Sequence, residues 1–209
     1  MMNPVLSIAY APPIQYFCHL LKGAVVEQFE NYHKQSYRNR CTILGSGGPI
    51  SMTIPVQSGA SSQCPITNVL LAPHNDWRKN HWHTICTCYG ASPFFEYYAP
   101  DLESFFLAPL KSESLFDFNL HLLQTIIELL HLPIEVTFTE HYSSETPNNL
   151  THLLQPKSNW IDPHFFPTPY YQPFRERLGF VPNMSVLDLL FNAGPEAILV
   201  LQKSYRVFQ

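Results

Sequence analysis

The stretch VLSIAYAPPIQYFCHLLKGAVVEQF, residues 5–29, decides the fold class. Val5 to Tyr10 is an apolar run of the length of a short buried strand, ended by Pro12 and Pro13. A proline at the first helical position is already set to the helical φ, so this pair also opens a helix, from Ile14 to about Leu21. Gly23 closes that helix by supplying the positive φ at which helices commonly end, and Val25 to Phe29 gives a second strand. Strand, helix and strand in such close succession form the start of a parallel βαβ layer, and the chain is expected to be α/β.

Outward from this unit, Arg40 to Leu44 reads as a strand, Gly45-Ser46-Gly47-Gly48 as a turn, and Ile50 to Val56 as a partner strand. Apolar residues at 50, 52, 54 and 56 alternate, so the pair is a β-hairpin with one buried face, and Pro55 places it at a sheet edge or strand end. A strand is expected at Asn68 to Ala72, and a helix from Trp77 to about Gly90, capped by Asn75 or Asp76. A short helix should start near Asp101, after Pro100. From Ser114 to His131 two apolar rows recur at spacings of three and four, which predicts a largely buried helix; Pro133 ends it and Ile134 to Thr139 reads as a strand. Six prolines among the aromatics of Pro156 to Pro182 make regular structure improbable, leaving an ordered loop that either wraps the core or covers a site. Ser185 and Asp188 form a capping-box pattern before a helix to Asn192, and Gly194-Pro195 restarts another. The expectation is one domain over residues 1–209: a mixed sheet with an N-terminal strand-loop-helix-strand unit, a β-hairpin and a mainly helical C-terminal half.

Composition narrows the function. Only 13% of the 209 residues are charged, against roughly 25% in an ordinary soluble domain. Something else covers part of the surface: long ordered loops packed by aromatics and the 19 prolines, or an interface between copies in a homo-oligomer. A net charge of -4 and a pI near 6.2 give no basic field to hold a nucleic-acid backbone, so a general DNA or RNA binder is excluded. Five scattered cysteines, an odd number, fit reduced thiols better than a secreted disulfide framework. The N-terminus lacks a basic segment followed by a long apolar one, and no apolar run approaches the roughly 20 residues of a membrane helix. A cytoplasmic protein without a membrane partner is expected.

Lys34, Arg38 and Arg40 bring three of the 12 basic residues into seven positions. On an extended segment Arg38 and Arg40 project to one face, where two guanidinium forks could hold a small anionic substrate through a phosphate, pyrophosphate or carboxylate. The plainer reading is a charge-protected edge strand; Asn31 and Tyr37 nearby suit a site more than a bare surface. His81 lies on the inward row Trp77, His81, Ile85 and is either a general base or a core histidine bonded to a backbone carbonyl. Asp188, acidic on an apolar helix, is either half of a capping box or a buried catalytic acid. No metal is expected: His81 with His83 and Cys86 with Cys88 are two apart, which on a helix turns them about 200° from each other. Nucleotide-binding loops and the Gly-x-Ser-x-Gly elbow are absent from the sequence, and no cofactor is assigned.

These same segments resemble the WbqC-like proteins of bacteria. The resemblance is carried by Tyr10-Ala-Pro-Pro-Ile-Gln-Tyr-Phe17, Lys34-Gln-Ser-Tyr-Arg-Asn-Arg40, Thr53-Ile-Pro-Val56, Trp77 with Lys79, His81 and Trp82, Tyr171-Gln172, and Asn183 through Gly194. It implies a link to surface-polysaccharide (O-antigen, lipopolysaccharide) synthesis, by transfer of an acyl or aminoacyl group to an amino sugar or sugar nucleotide. Within the matched segments Gln15, Tyr16, Asn39, Tyr171, Gln172 and Asn183 become substrate-binding candidates beside Lys34, Arg38 and Arg40. The chain departs from the broader family at Ser7-Ile8, where a Gln-Pro pair is usual, and at Gln28-Phe29, where an Asp-Asp pair is usual.

Two functions follow as expectations. In the first, a transferase, the basic residues hold an anionic donor and His81 takes the proton of an acceptor amine. In the second, the aromatic, proline-rich segment docks a partner and the chain is a non-catalytic assembly module.

Overall fold

Val5–Ser7 forms β1 and Val25–Glu27 forms β2, paired in parallel with Val5 opposite Val25 and Ser7 opposite Glu27. Helix α1, Ile14–Leu20, is the crossover between them, and all seven of its residues are buried. This is the βαβ unit predicted from residues 5–29. The protein is seen in a computed structural model that describes residues 3–108, 113–142 and 148–206.

Single bridges extend this layer on both sides. Val26 donates to Thr137 O at 2.8 Å and its carbonyl accepts from Thr139 at 3.0 Å; Val5 donates to Asn148 O at 3.0 Å and its carbonyl accepts from Leu150 at 2.8 Å. Both bridges are parallel, Val26 with Phe138 and Val5 with Asn149, so the order across the layer is 149, β1, β2, 138. Four chain segments therefore leave the layer at one edge, after Ser7, Glu27, Thr139 and Leu150. The strand predicted at Ile134 to Thr139 contracts to one of these bridges. The strand predicted at Asn68 to Ala72 is likewise a 3₁₀ turn, Ile66–Asn68, followed by bridges from Leu71 to Val56 and from Leu70 to Ser114.

β3, Arg40–Gly45, and β4, Gly48–Thr53, make the hairpin, with Arg40 opposite Thr53 and Gly45 opposite Gly48. Met52 and Ile54 are buried as the alternation predicts, whereas Ile50, near the turn, is 38% exposed.

Helices complete the core: α2, Trp77–Tyr89; α3, Phe95–Leu107; α4, Leu115–Leu129; the short α5, Arg175–Leu178; α6, Val186–Ala193; and α7, Ala197–Lys203. α3 starts well before the predicted position near Asp101 and carries Pro100 in its interior. The apolar face of Tyr98, Leu102 and Phe106, buried against α2 by Trp82–Phe106 stacking at 5.7 Å, offsets the missing proline N–H. α4 is capped by Ser114, whose Oγ accepts from Asp117 N at 3.0 Å. Between α6 and α7, Gly194 has φ +50°, and a Cβ there would lie 2.7 Å from the Phe94 ring, so only glycine fits. α1 packs on α6 and α7, and the main core joins the Leu6–Val26 face of the parallel layer to α4. No described helix is long and apolar enough to cross a membrane.

Candidate functional site

The residues that follow the parallel strands enclose a cavity of about 140 Å³ lined by Phe29, Glu30, Asn31, His33, Ser62, Tyr142 and His152. Three of the four exits contribute: Phe29 to His33 after β2, Tyr142 after the 138 bridge and His152 after the 149 bridge. Open α/β layers bind ligands at this place, because connections diverge from the carboxyl ends of parallel strands and leave a crevice.

The cavity floor is an ion pair. Glu30 is 3% exposed and Arg38 1%. Arg38 Nε donates to Glu30 Oε1 at 2.9 Å and Arg38 Nη2 donates to Oε2. The exit of β1 joins in: Ser7 Oγ donates to Glu30 Oε2 at 3.1 Å, and Tyr16 Oη donates to Ser7 O at 2.9 Å. Asn119 of α4 holds Arg38 from behind, Nδ2 donating to its carbonyl at 2.7 Å. Burial raises the Glu30 carboxyl above its ordinary pKa, against the opposing pull of Arg38 and Ser7.

Histidines and aromatic rings form the walls. His33 and His152 meet edge to face, ring centroids 5.1 Å apart at 84°. Burial first, then the charges of Arg38 and His152, lower the pKa of His33, which keeps this imidazole neutral and able to accept a proton. Phe29 and Tyr142 stand at the rim, 48% and 47% exposed. Polar groups converging between exposed rings are the makeup of a small-molecule site. Among the described residues, no three His, Cys, Asp or Glu side chains converge to hold a metal.

This geometry corrects the anion reading of Arg38 and Arg40. The segment before β3 is a series of turns with Gln35 at φ +59°, not an extended strand, so the two side chains diverge. Arg38 turns inward and spends its fork on Glu30. Arg40 lies half-buried on the hairpin, Nε donating to Thr53 Oγ1 at 3.2 Å, and Lys34 is exposed. Asn39 is buried and ties β3 to Ile54, Nδ2 donating to its carbonyl at 3.1 Å. Tyr37 is half-buried, with burial pushing its hydroxyl up to about 12. Of the predicted binding residues, Asn31 lines the cavity, while Tyr16 and Arg38 support it from beneath.

His81 does face inward, but as a core histidine. It accepts from or donates to Tyr10 Oη at 2.9 Å through Nδ1 and packs against the Tyr10 and Trp77 rings. Burial lowers its pKa to about 4, partly opposed by a hydrogen bond to the Thr53 backbone. With Thr53 O taking the ring N–H, Tyr10 Oη donates to Nδ1. His83, two residues on, is exposed.

The remaining candidates fasten the proline-rich segment. Asp188 is fully buried and accepts from Tyr170 Oη, and from Gln172 Nε2 at 2.8 Å. Burial raises its carboxyl. Asp188 therefore does not complete the predicted capping box: Ser185 N donates instead to Thr42 O at 2.7 Å. Gln172 also bonds Val181 in both directions, whereas Tyr171 is 55% exposed. Gln15 and Asn183 pair with each other, Asn183 Nδ2 to Gln15 Oε1 at 3.1 Å, and Gln15 Nε2 reaches Asp162 Oδ2 at 2.8 Å beside His19 Nε2 at 2.7 Å. These contacts draw residues 162–183 onto α1 and α6, so the segment wraps the core. Tyr170→Phe removes one bond to a buried carboxylate and is expected to cost about 1.5–2 kcal/mol, read by urea unfolding.

Sequence reasoning missed Phe29, Glu30, His33, Ser62, Tyr142 and His152 as site residues. One signal was available. Gln28-Phe29, where carboxylates are absent, is bracketed by Glu27 and Glu30, both following an apolar strand. Ser62, Tyr142 and His152 lie too far from this segment in the chain for any spacing to join them.

Comparison with known proteins agrees with the sequence resemblance. A model of the WbqC-like protein family matches residues 9–157, a span that holds β2 to β4, α1 to α4 and every cavity-lining residue. The Mycobacterium tuberculosis protein named Uncharacterized protein Rv1507c is 27% identical over 190 residues, covering 79% of this chain and 81% of its own. No solved structure matches. The chain belongs to the WbqC-like protein family.

Proposed function

We propose that the protein is a group transferase of surface-polysaccharide synthesis whose acceptor, an amino sugar, occupies the cavity at the carboxyl ends of the parallel layer. One observation carries the reading: a half-buried imidazole, His33, faces His152 above a buried Glu30–Arg38 pair and between two exposed aromatic rings. A sugar ring has an apolar C–H face that packs on Phe29 or Tyr142, and hydroxyls that the polar lining can bond. In the transfer, the acceptor, bound as an ammonium group, first gives one proton to solvent, and its free-amine nitrogen then forms a bond to the acyl carbon of an activated donor. The bond from that carbon to the leaving group breaks with its electron pair, and His33 takes the proton from nitrogen. His33 thus fills the role first expected of His81.

Ligand-observed NMR with glucose, N-acetylglucosamine and glucosamine tests the reading. At least one should bind the wild type, with binding lost in His33→Ala and Phe29→Ala and kept in Lys34→Ala and Arg40→Ala. Absence of binding by all three, or loss confined to the basic variants, contradicts it.

The assembly-module reading has separate support in the proline-rich segment, where Ile161 is 87% and Tyr171 55% exposed. It expects a concentration-dependent homo-oligomer by sedimentation that Ile161→Ser dissociates; a monomer at all concentrations contradicts it.

A further inference from the structure

We infer that the cavity selects its ligand by positive charge, binding a primary ammonium group in preference to a neutral or anionic one. The inference rests on the cavity being the acceptor site and adds the charge class that the site accepts.

Among the described residues, the charges buried around the cavity do not balance. Glu27 is fully buried, Glu30 is 3% exposed and Arg38 1%, so two carboxylates share one buried guanidinium. Arg38 Nε and Nη2 both donate to Glu30. Glu27 has only neutral partners: its Oε1 accepts from Phe29 N at 2.7 Å and from Thr139 Oγ1 at 2.8 Å. Its Oε2 is buried without a partner among the described residues. Glu27 stands directly behind the wall made by Phe29 and Glu30, and its charge reaches Glu30, adding to the rise of that carboxyl. A buried carboxylate left without a countercharge is costly, and such groups are normally paired.

The lining offers an ammonium group what it needs. Glu30, the neutral His33 imidazole, the Asn31 amide oxygen and the Ser62 hydroxyl supply acceptors for three N–H donors. A phosphate or carboxylate would meet the opposite situation. The carboxylate field repels it, Arg38 is already engaged, and Lys34 and Arg40 are not in the lining.

Glucosamine, glucose and glucose 6-phosphate, titrated at neutral pH into the full chain and followed by NMR, distinguish the cases. Glucosamine is expected to bind about tenfold more tightly than glucose, with glucose 6-phosphate weakest. Glu27→Gln keeps an oxygen for Phe29 N and Thr139 while removing the charge. It should abolish the preference for glucosamine without weakening glucose. Equal binding of glucosamine and glucose by the wild type overturns the ammonium inference and leaves the cavity as the acceptor site. Tightest binding of glucose 6-phosphate overturns the inference outright, and failure of all three contradicts the acceptor site itself. If Glu27→Gln does not fold, the wild-type ranking alone decides.

Discussion

Arg38→Met is expected to destabilise the protein by about 3–5 kcal/mol, because it leaves the Glu30 carboxylate buried without its counterion. For a chain of this size that corresponds to a fall in Tm of roughly 6–20 °C. An arginine held in reserve for an anionic substrate would behave differently: its loss would weaken binding and leave stability nearly unchanged. The double variant Glu30→Leu with Arg38→Met separates these cases further. Replacing both members of a buried pair by apolar groups of similar size is often close to neutral, so much of the lost stability should return. Thermal unfolding of the two variants beside the wild type provides the check, and an unchanged Tm in Arg38→Met contradicts the buried pair.

A second large effect is expected on acidification. The His81 imidazole is held at about 4 in the fold, below its ordinary 6.5, because burial disfavours its charged form. Its contribution to stability is complete above 6.5 and is lost as pH falls toward 4, since the unfolded chain then takes up a proton that the folded chain refuses. The difference amounts to about 3 kcal/mol. Glu30 and Asp188 act in the opposite direction. Their folded carboxyls are raised by burial, so their contributions grow as pH falls. The effect of His81 is therefore read as a difference between proteins. Urea unfolding from pH 7.5 to 4.5 should show wild type losing stability more steeply than His81→Asn by about 3 kcal/mol. Parallel pH profiles would place His81 in contact with solvent.

The parts of the fold that were legible in the sequence are those in which local chemistry and tertiary packing agree. Pro12-Pro13 and Gly23 bound α1 where predicted, two glycines close the hairpin, and α4 runs where its two apolar rows place it. Pro100 misled because the apolar face of α3 outweighs one missing hydrogen bond. The outer members of the parallel layer were hidden or overread because each makes a single bridge, too short for a periodicity to mark.

The site was less legible. Arg38 and Arg40 share a face only if the chain is extended between them, and the turn through Gln35 breaks that condition. Asp188 reads as a cap by spacing, but its side chain turns to Tyr170 and Gln172 across the core. Glu30, His33 and His152 acquire their common role only through the parallel pairing that places segments more than a hundred residues apart at one edge of the layer.

Histidine ring resonances, assigned by single His→Gln variants and followed during a glucosamine titration, test the location of the site most directly. The signals of His33 and His152 should move together and saturably, with those of His81 and His83 unmoved. Shifts centred on His81, or none at any histidine, would show that the crevice at the carboxyl ends of the parallel strands is not where this protein takes its ligand.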